Sequence, residues 1–66
     1  MSYKLIFKEL NEERELSSKT TIRDVLEDLN ISQETVVTKQ NGDVVIEDNE
    51  IHDGDEIQII QIIYGG

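Results

Sequence analysis

The sequence predicts an α+β domain in which two hairpins bracket one helix and a last strand closes the sheet. Three observations carry this. Apolar and polar side chains alternate over residues 3–10, the spacing turns helical over residues 22–29, and strand-like runs return on either side of Asn41-Gly42 and over residues 57–63. A period of two marks a half-buried strand, whereas recurrence at i, i+3, i+4 and i+7 marks one face of a helix.

In the first run Tyr3, Leu5 and Phe7 fall on one side and Lys4, Ile6 and Lys8 on the other. Asn11-Glu12-Glu13 reads as a polar turn and residues 14–19 as a weak second strand, since a hairpin is the simplest topology for so short a connection. Ile22, Val25, Leu26 and Leu29 then make the helical stripe. Thr21 followed by Asp24 resembles a capping box, with the acid placed at the positive end of the helix. Asn30 suits the left-handed position that ends a helix. So short a helix needs burial of its stripe to persist.

Residues 35–40 and 44–46 flank Asn41-Gly42, a hairpin signal because a type I′ turn requires positive φ at both central positions. Val36 and Thr38 are expected to face inward, and Val37 and Lys39 outward. Over residues 47–56 the chain is acidic and Ile51 is its only apolar side chain, which makes Ile51 the anchor of this connection. Asp53-Gly54-Asp55 forms a turn. The last run carries Ile at both parities, as a central strand buried on one face and partly covered on the other would. Ile57 and Ile59 are expected to meet the helix, leaving Ile60 and Ile62 on the opposite face beside Val37 and Lys39.

Sixty-six residues make one small domain, and a core of this size contributes only about 3–5 kcal/mol. There is no cysteine, which excludes a disulfide framework, a thiolate metal site and sulfur carried on the protein's own thiol. Fifteen acids against six bases give a net charge of −9. That balance opposes nucleic-acid phosphates and anionic membranes and favours a partner with a basic docking face. No run approaches the roughly 18 apolar residues of a membrane span, and residues 1–4 open no signal-peptide apolar region. A soluble cytoplasmic protein is expected.

Side-chain chemistry offers little. An EF-hand loop needs glycine at its sixth position and oxygen ligands at its first, third and fifth; with Gly54 sixth, the third is Ile51, and the pattern fails. His52 is the only histidine, with no second ligand or nucleophile to work with, and reads as an exposed loop residue. The turns at Asn41-Gly42 and Asp53-Gly54 do not open helices, and their acidic surroundings oppose a phosphate. What remains is the end of the chain, where an Ile-rich strand passes directly into Gly65-Gly66. Two glycines make the slimmest of peptides, able to enter a narrow channel and bring a carboxylate to a nucleotide phosphate.

Four pieces together resemble a known family: Thr21-Ile22-Arg23-Asp24-Val25-Leu26 at the helix start, Asn41-Gly42 between two Val-rich strands, Asp53-Gly54-Asp55-Glu56-Ile57 before the last strand, and terminal Gly65-Gly66. In this order and spacing, across essentially the whole chain, they resemble the ubiquitin-like β-grasp sulfur carriers and modifiers. These are the thiamine-biosynthesis sulfur carrier, the small subunit of molybdopterin synthase and, most closely, the small archaeal modifier proteins.

The resemblance implies a β-grasp domain over residues 1–63 with a flexible tail over 64–66, and a mixed sheet whose first and last strands are parallel central neighbours. It implies a protein that is not itself an enzyme and binds no cofactor. A partner resembling a ubiquitin-activating enzyme would use ATP and Mg²⁺ to adenylate the carboxylate of Gly66, holding Tyr64 and Gly65 in its tail channel. A sulfur donor would then give a thiocarboxylate, or a thiol would relay the chain to a lysine of another protein. Val37, Lys39, Ile60 and Ile62 would form the docking surface, and Lys4, Lys8, Lys19 and Lys39 would be available as conjugation targets. The residues leave carrier and modifier open, and beside both stands a non-covalent ubiquitin-like interaction module working through its acidic surface.

Overall fold

The strand that comes last in the chain stands in the middle of the sheet. The computed structural model describes residues 1–62. The elements are β1 (Ser2–Phe7), β2 (Leu10–Glu15), α1 (Ile22–Asp28), a 3₁₀ turn (Gln33–Thr35), β3 (Val36–Gln40), β4 (Asp43–Val45) and β5 (Glu56–Gln61). Their spatial order is β2-β1-β5-β3-β4. As expected, β5 runs parallel to β1, and it is antiparallel to β3. Leu5 lies opposite Ile57 and Phe7 opposite Ile59 on one side, with Thr38 opposite Ile59 on the other. These residues meet Ile22, Val25 and Leu26 of α1 in a single core that also holds Tyr3, Leu16, Val36 and Ile51. Leu5, Ile22 and Ile57 are fully buried, each stabilising by about 1.5–3 kcal/mol through apolar burial.

The first hairpin differs from the expected one. Its turn is Lys8-Glu9, not Asn11-Glu12-Glu13, and β2 occupies Leu10–Glu15 instead of residues 14–19. Lys8 adopts φ 54°, a left-handed conformation that the sequence advertises with neither Gly nor Asn. The strand is hard to read because it is an edge whose inward positions are Leu10, Glu12 and Arg14. Backbone pairing with β1 places it, and Arg14 covers the edge by ion pairs to Glu12 and to Asp28 of α1. Charged side chains along an edge also discourage pairing with another chain. At the second hairpin the shifts are small: β3 begins at Val36 behind the 3₁₀ turn capped by Ser32, and β4 ends at Val45. Asn41 and Gly42 have φ 54° and 90°, the type I′ signature.

The helix is held at both ends. Thr21 Oγ1 accepts from the Asp24 N–H at 3.4 Å while Asp24 accepts from the Thr21 N–H at 2.9 Å, a complete capping box. The acidic connection caps it a second time, since Asn49 and Glu47 carbonyls accept from the N–H groups of Ile22 (3.0 Å) and Arg23 (2.9 Å). Ile51, buried as expected, donates its N–H to Thr20. At the other end Asn30 has φ 58°. Asn30 donates to the Glu27 carbonyl and Ile31 to that of Leu26, a Schellman closure.

Asp55 joins the second hairpin to the start of β5. One carboxylate oxygen accepts from Gln40 Nε2 at 2.6 Å and from the His52 N–H at 2.8 Å, and the other from Asn41 Nδ2 at 2.9 Å. Burial pushes its pKa up, but the bonds from Asn41, the His52 amide and Gln40, with the charge of His52 added, outweigh burial and hold the pKa below the ordinary aspartate value. A carboxylate with a depressed pKa stabilises the fold fully above its unfolded pKa and loses that contribution as pH falls through the folded one. Asp55→Asn should therefore cost about 1–3 kcal/mol at pH 7, because it turns donors against donors. In urea titrations that difference from the wild type should hold down to about pH 4.5 and shrink below about pH 3.8, near the ordinary aspartate pKa; a difference independent of pH would exclude the ionised network.

Candidate functional site

Strand alternation sends Lys4 and Ile6 of β1, Gln58 and Ile60 of β5, Val37 and Lys39 of β3 and Val44 of β4 to the face away from the helix. Register fixes their neighbours. Gln58 stands between Ile6 and Lys39, and Ile60 lies opposite Val37. A shallow hollow between β1 and β5 is lined by Ile6, Lys8, Gln58 and Ile60. The Lys8 ammonium lies 5.4 Å from the centroid of the Phe7 ring, within the range of cation–π attraction.

The structure brings Val37, Lys39 and Ile60 together on this face. Ile60 is 38% exposed and Ile62 37%, against 0% for Ile57 and 3% for Ile59, so the expected division of the β5 isoleucines between core and surface is found. Ile62 sits just past β5, its N–H donating to the Thr35 carbonyl at 2.8 Å. Tyr64, Gly65 and Gly66 lie outside the described residues. Sequence reasoning left Ile6, Lys8 and Gln58 out of the surface. The signal for Ile6 and Lys8 was present, since the alternation over residues 3–10 sets both opposite Tyr3, Leu5 and Phe7.

The helix side has a different electrical character. Arg14 bonds Glu12 at 2.8 Å as well as Asp28, and Arg23 reaches Glu47 at 3.1 Å and Asp48 at 2.5 Å. Hydrogen bonds from Arg14 to Glu12 and Asp28, and from Arg23 to Glu47, raise the pKa of each guanidinium. Tyr3, beneath Arg14, has its pKa raised chiefly by burial. Among the described residues there is no group of three or more His, Cys, Asp or Glu arranged to hold a metal, and no helix long and apolar enough to cross a membrane.

The sequence model of the ThiS family matches residues 4–66. The chain belongs to the ThiS family. Solved structures repeat its architecture. SAMP1 from Haloferax volcanii superposes with a TM-score of 0.75 at 13% identity, covering 100% of both chains. A chain of the complex of subunits 1 and 2 of molybdopterin-converting factor from Helicobacter pylori 26695 gives 0.70 at 17%, again over 100% of both. The thiamine biosynthesis protein ThiS from Geobacter metallireducens gives 0.65 at 20%, over 96% of this chain and 99% of that one. At these identities the likeness establishes the ubiquitin-like β-grasp fold, which the family match places within the ThiS group.

The two faces of β5 make a paired test. Ile60→Asp changes an exposed position, where substitutions usually cost under about 0.5 kcal/mol, and should leave the melting temperature within a few degrees. Ile59→Asp buries a carboxylate without a partner and should unfold the domain at neutral pH, given that such burial costs several kcal/mol. Circular dichroism melts of the two proteins decide; equal losses would mean that Ile60 belongs to the core.

Proposed function

We propose that this protein is a ubiquitin-like sulfur carrier or protein modifier whose reacting group is the carboxylate of Gly66. The observation that carries this reading is a family match that runs through Gly65-Gly66 directly behind a central strand that ends beside an exposed apolar face. The chain's own part is to present that carboxylate. A partner of the ubiquitin-activating type binds ATP and Mg²⁺; a carboxylate oxygen of Gly66 attacks the α-phosphate and pyrophosphate leaves. Sulfide-level sulfur (HS⁻) delivered by a donor then attacks the acyl carbon, the C–O bond to AMP breaks and AMP leaves, giving a thiocarboxylate; alternatively a thiol displaces AMP to form a thioester, which a lysine amine then attacks to form the amide and release the thiol. Adenylation is needed because a carboxylate oxygen leaves poorly and AMP leaves well.

Reach constrains how such a partner docks. Four residues follow Ile62, and a fully extended chain spans about 3.5 Å per residue. The nucleotide must then lie within about 14 Å of Ile62. Next to that point are the exposed Ile60 and, opposite it, the half-buried Val37, which supports a docking surface of Val37, Lys39, Ile60 and Ile62. The Helicobacter pylori relative was solved as a complex of two subunits, and this favours a stable protein partner here too. Tyr64 and Gly65 would thread the partner's channel.

Incubated with its adenylating enzyme, ATP and Mg²⁺, the protein should support ATP–pyrophosphate exchange, and with a sulfur donor its intact mass should rise by the difference between sulfur and oxygen. Deleting Gly65 and Gly66 should abolish exchange with the melting temperature unchanged, because two glycines bury almost no apolar area. Recovery of the protein joined through Gly66 to lysines would select the modifier. Full cellular function of the truncated chain would refute covalent chemistry at the tail and leave a non-covalent interaction module.

A further inference from the structure

The chain holds four asparagines, Asn11, Asn30, Asn41 and Asn49, and only Asn41 precedes a glycine. That pair is a chemical liability as well as a turn. A glycine nitrogen has no neighbouring Cβ to shield it. Once hydroxide has taken its proton it can attack the Cγ of the preceding asparagine: the N–Cγ bond forms, the Cγ–Nδ2 bond breaks, ammonia leaves and a succinimide remains. Water then opens the ring at either carbonyl to give aspartate or isoaspartate, so one water is consumed for each ammonia released. Asn41 and Gly42 are exposed, and the Gly42 N–H has no acceptor among the described residues. Asp53-Gly54 is the contrasting case. It is also exposed, but the Gly54 N–H donates to the Ser2 carbonyl at 2.8 Å and Asp53 Oδ1 accepts from the Ser2 N–H at 2.9 Å, so both reacting groups are tied to β1.

We propose that Asn41 is a deamidation site that the fold keeps latched, with the Asp55 carboxylate and the Glu56 amide as the latch. Asn41 Nδ2 donates to Asp55 Oδ1 at 2.9 Å, and Asn41 Oδ1 accepts from the Glu56 N–H at 2.9 Å. Ring closure requires Cγ to rotate toward the Gly42 nitrogen, and the two bonds resist that rotation by holding the amide against the start of β5. The product then destroys the latch. A carboxylate is acceptor-only, so an aspartate at position 41 sets an oxygen where Nδ2 stood, against an Asp55 carboxylate that is ionised at neutral pH, and like charges at that distance repel. Isoaspartate adds a backbone carbon to the two-residue turn that fixes the Gln40–Asp43 pairing. Either product loosens the joint between the second hairpin and β5, so time spent open leaves a permanent chemical record.

The test is peptide-mapping mass spectrometry of the full chain aged at mildly alkaline pH, natively and in urea, following amide-to-acid conversion at each asparagine. In urea Asn41 should convert faster than Asn11, Asn30 and Asn49, whose following residues are Glu, Ile and Glu. In the native state its rate should fall about tenfold or more, the scale of one or two retained hydrogen bonds. Asp55→Ala should return about fivefold of that native rate, whereas Thr21→Ala, a loss of comparable size at the helix cap, should not; melting curves first show both to be folded. Asn41→Asp should lower the melting temperature, and adding Asp55→Asn should recover part of the loss, because the donor and acceptor of the pair are then exchanged and the two changes are no longer additive. Should Asp55→Ala fail to fold, the ratio of native to urea rates and the exchanged pair decide. Equal rates in the native state and in urea, or equal acceleration by Asp55→Ala and Thr21→Ala, would overturn the latch. An Asn41 that converts in urea no faster than the other asparagines would overturn the site. An Asn41→Asp protein that melts with the wild type, or an exchanged pair that recovers nothing, would overturn the effect of the product on the fold.

Discussion

The parallel pairing of β1 with β5 places everything on the outer face. Parallel neighbours are joined across most of the chain, and their register is fixed where Leu5 meets Ile57 and Phe7 meets Ile59. A slip of one residue would turn Ile57 and Ile59 outward and bring Gln58 and Ile60 into the core, so the register is held by the whole cost of exposing two buried isoleucines. Ile60 is exposed because Ile59 is not. The same register brings Gln58 between Ile6 and Lys39 and leaves the hollow beside Ile60 open.

Polar joints then brace this pairing at its lower end. Gly54 and Lys4 donate N–H groups to Ser2 and Asp55, and Asn41 donates to Glu56, so the entry to β5 is stitched to both neighbours before the isoleucines begin. Asp55 adds the side-chain connections. The acidic connection has two tasks at once: its Ile51 fills the core, and its carbonyls satisfy the first N–H groups of a seven-residue helix that would not persist alone. A connection that composition marks only as acidic and anchored at Ile51 is, by its backbone, a second helix cap.

Where local chemistry decides structure, the sequence could be read. Thr21, Asp24 and Asn30 cap as their side chains require, Asn41-Gly42 turns, and the parity of Val36, Thr38, Ile57 and Ile59 gives the inner face. Where position in the sheet decides, it could not. Leu10–Glu15 is a strand because β1 offers it an edge, and nothing in Glu12, Glu13 and Arg14 announces that. Lys8 turns left-handed in place of the glycine a reader would look for. The outer surface was half legible: Ile60, Val37 and the side on which Ile6 lies follow from alternation, whereas the meeting of Ile6 with Gln58 and Ile60 depends on β1 lying beside β5, a long-range pairing that the residues alone do not encode.

The central place of β5 also governs how the molecule comes into being. Until that strand enters, the β1–β2 and β3–β4 hairpins share no edge, and each presents an apolar face and an unpaired inner margin to its surroundings. Contacts so distant in the chain make for slow, cooperative assembly, and half-assembled ribbons with open margins are the species that aggregate. No half of this sheet is a stable stopping point. Because the central strand is made after all the others, insertion of β5 completes the core and forms the outer face in one event. A nascent or clipped chain lacking β5 has neither a closed core nor the outer face that Ile60 and Val37 form across β5 and β3, so folding itself acts as the checkpoint on whether that face exists.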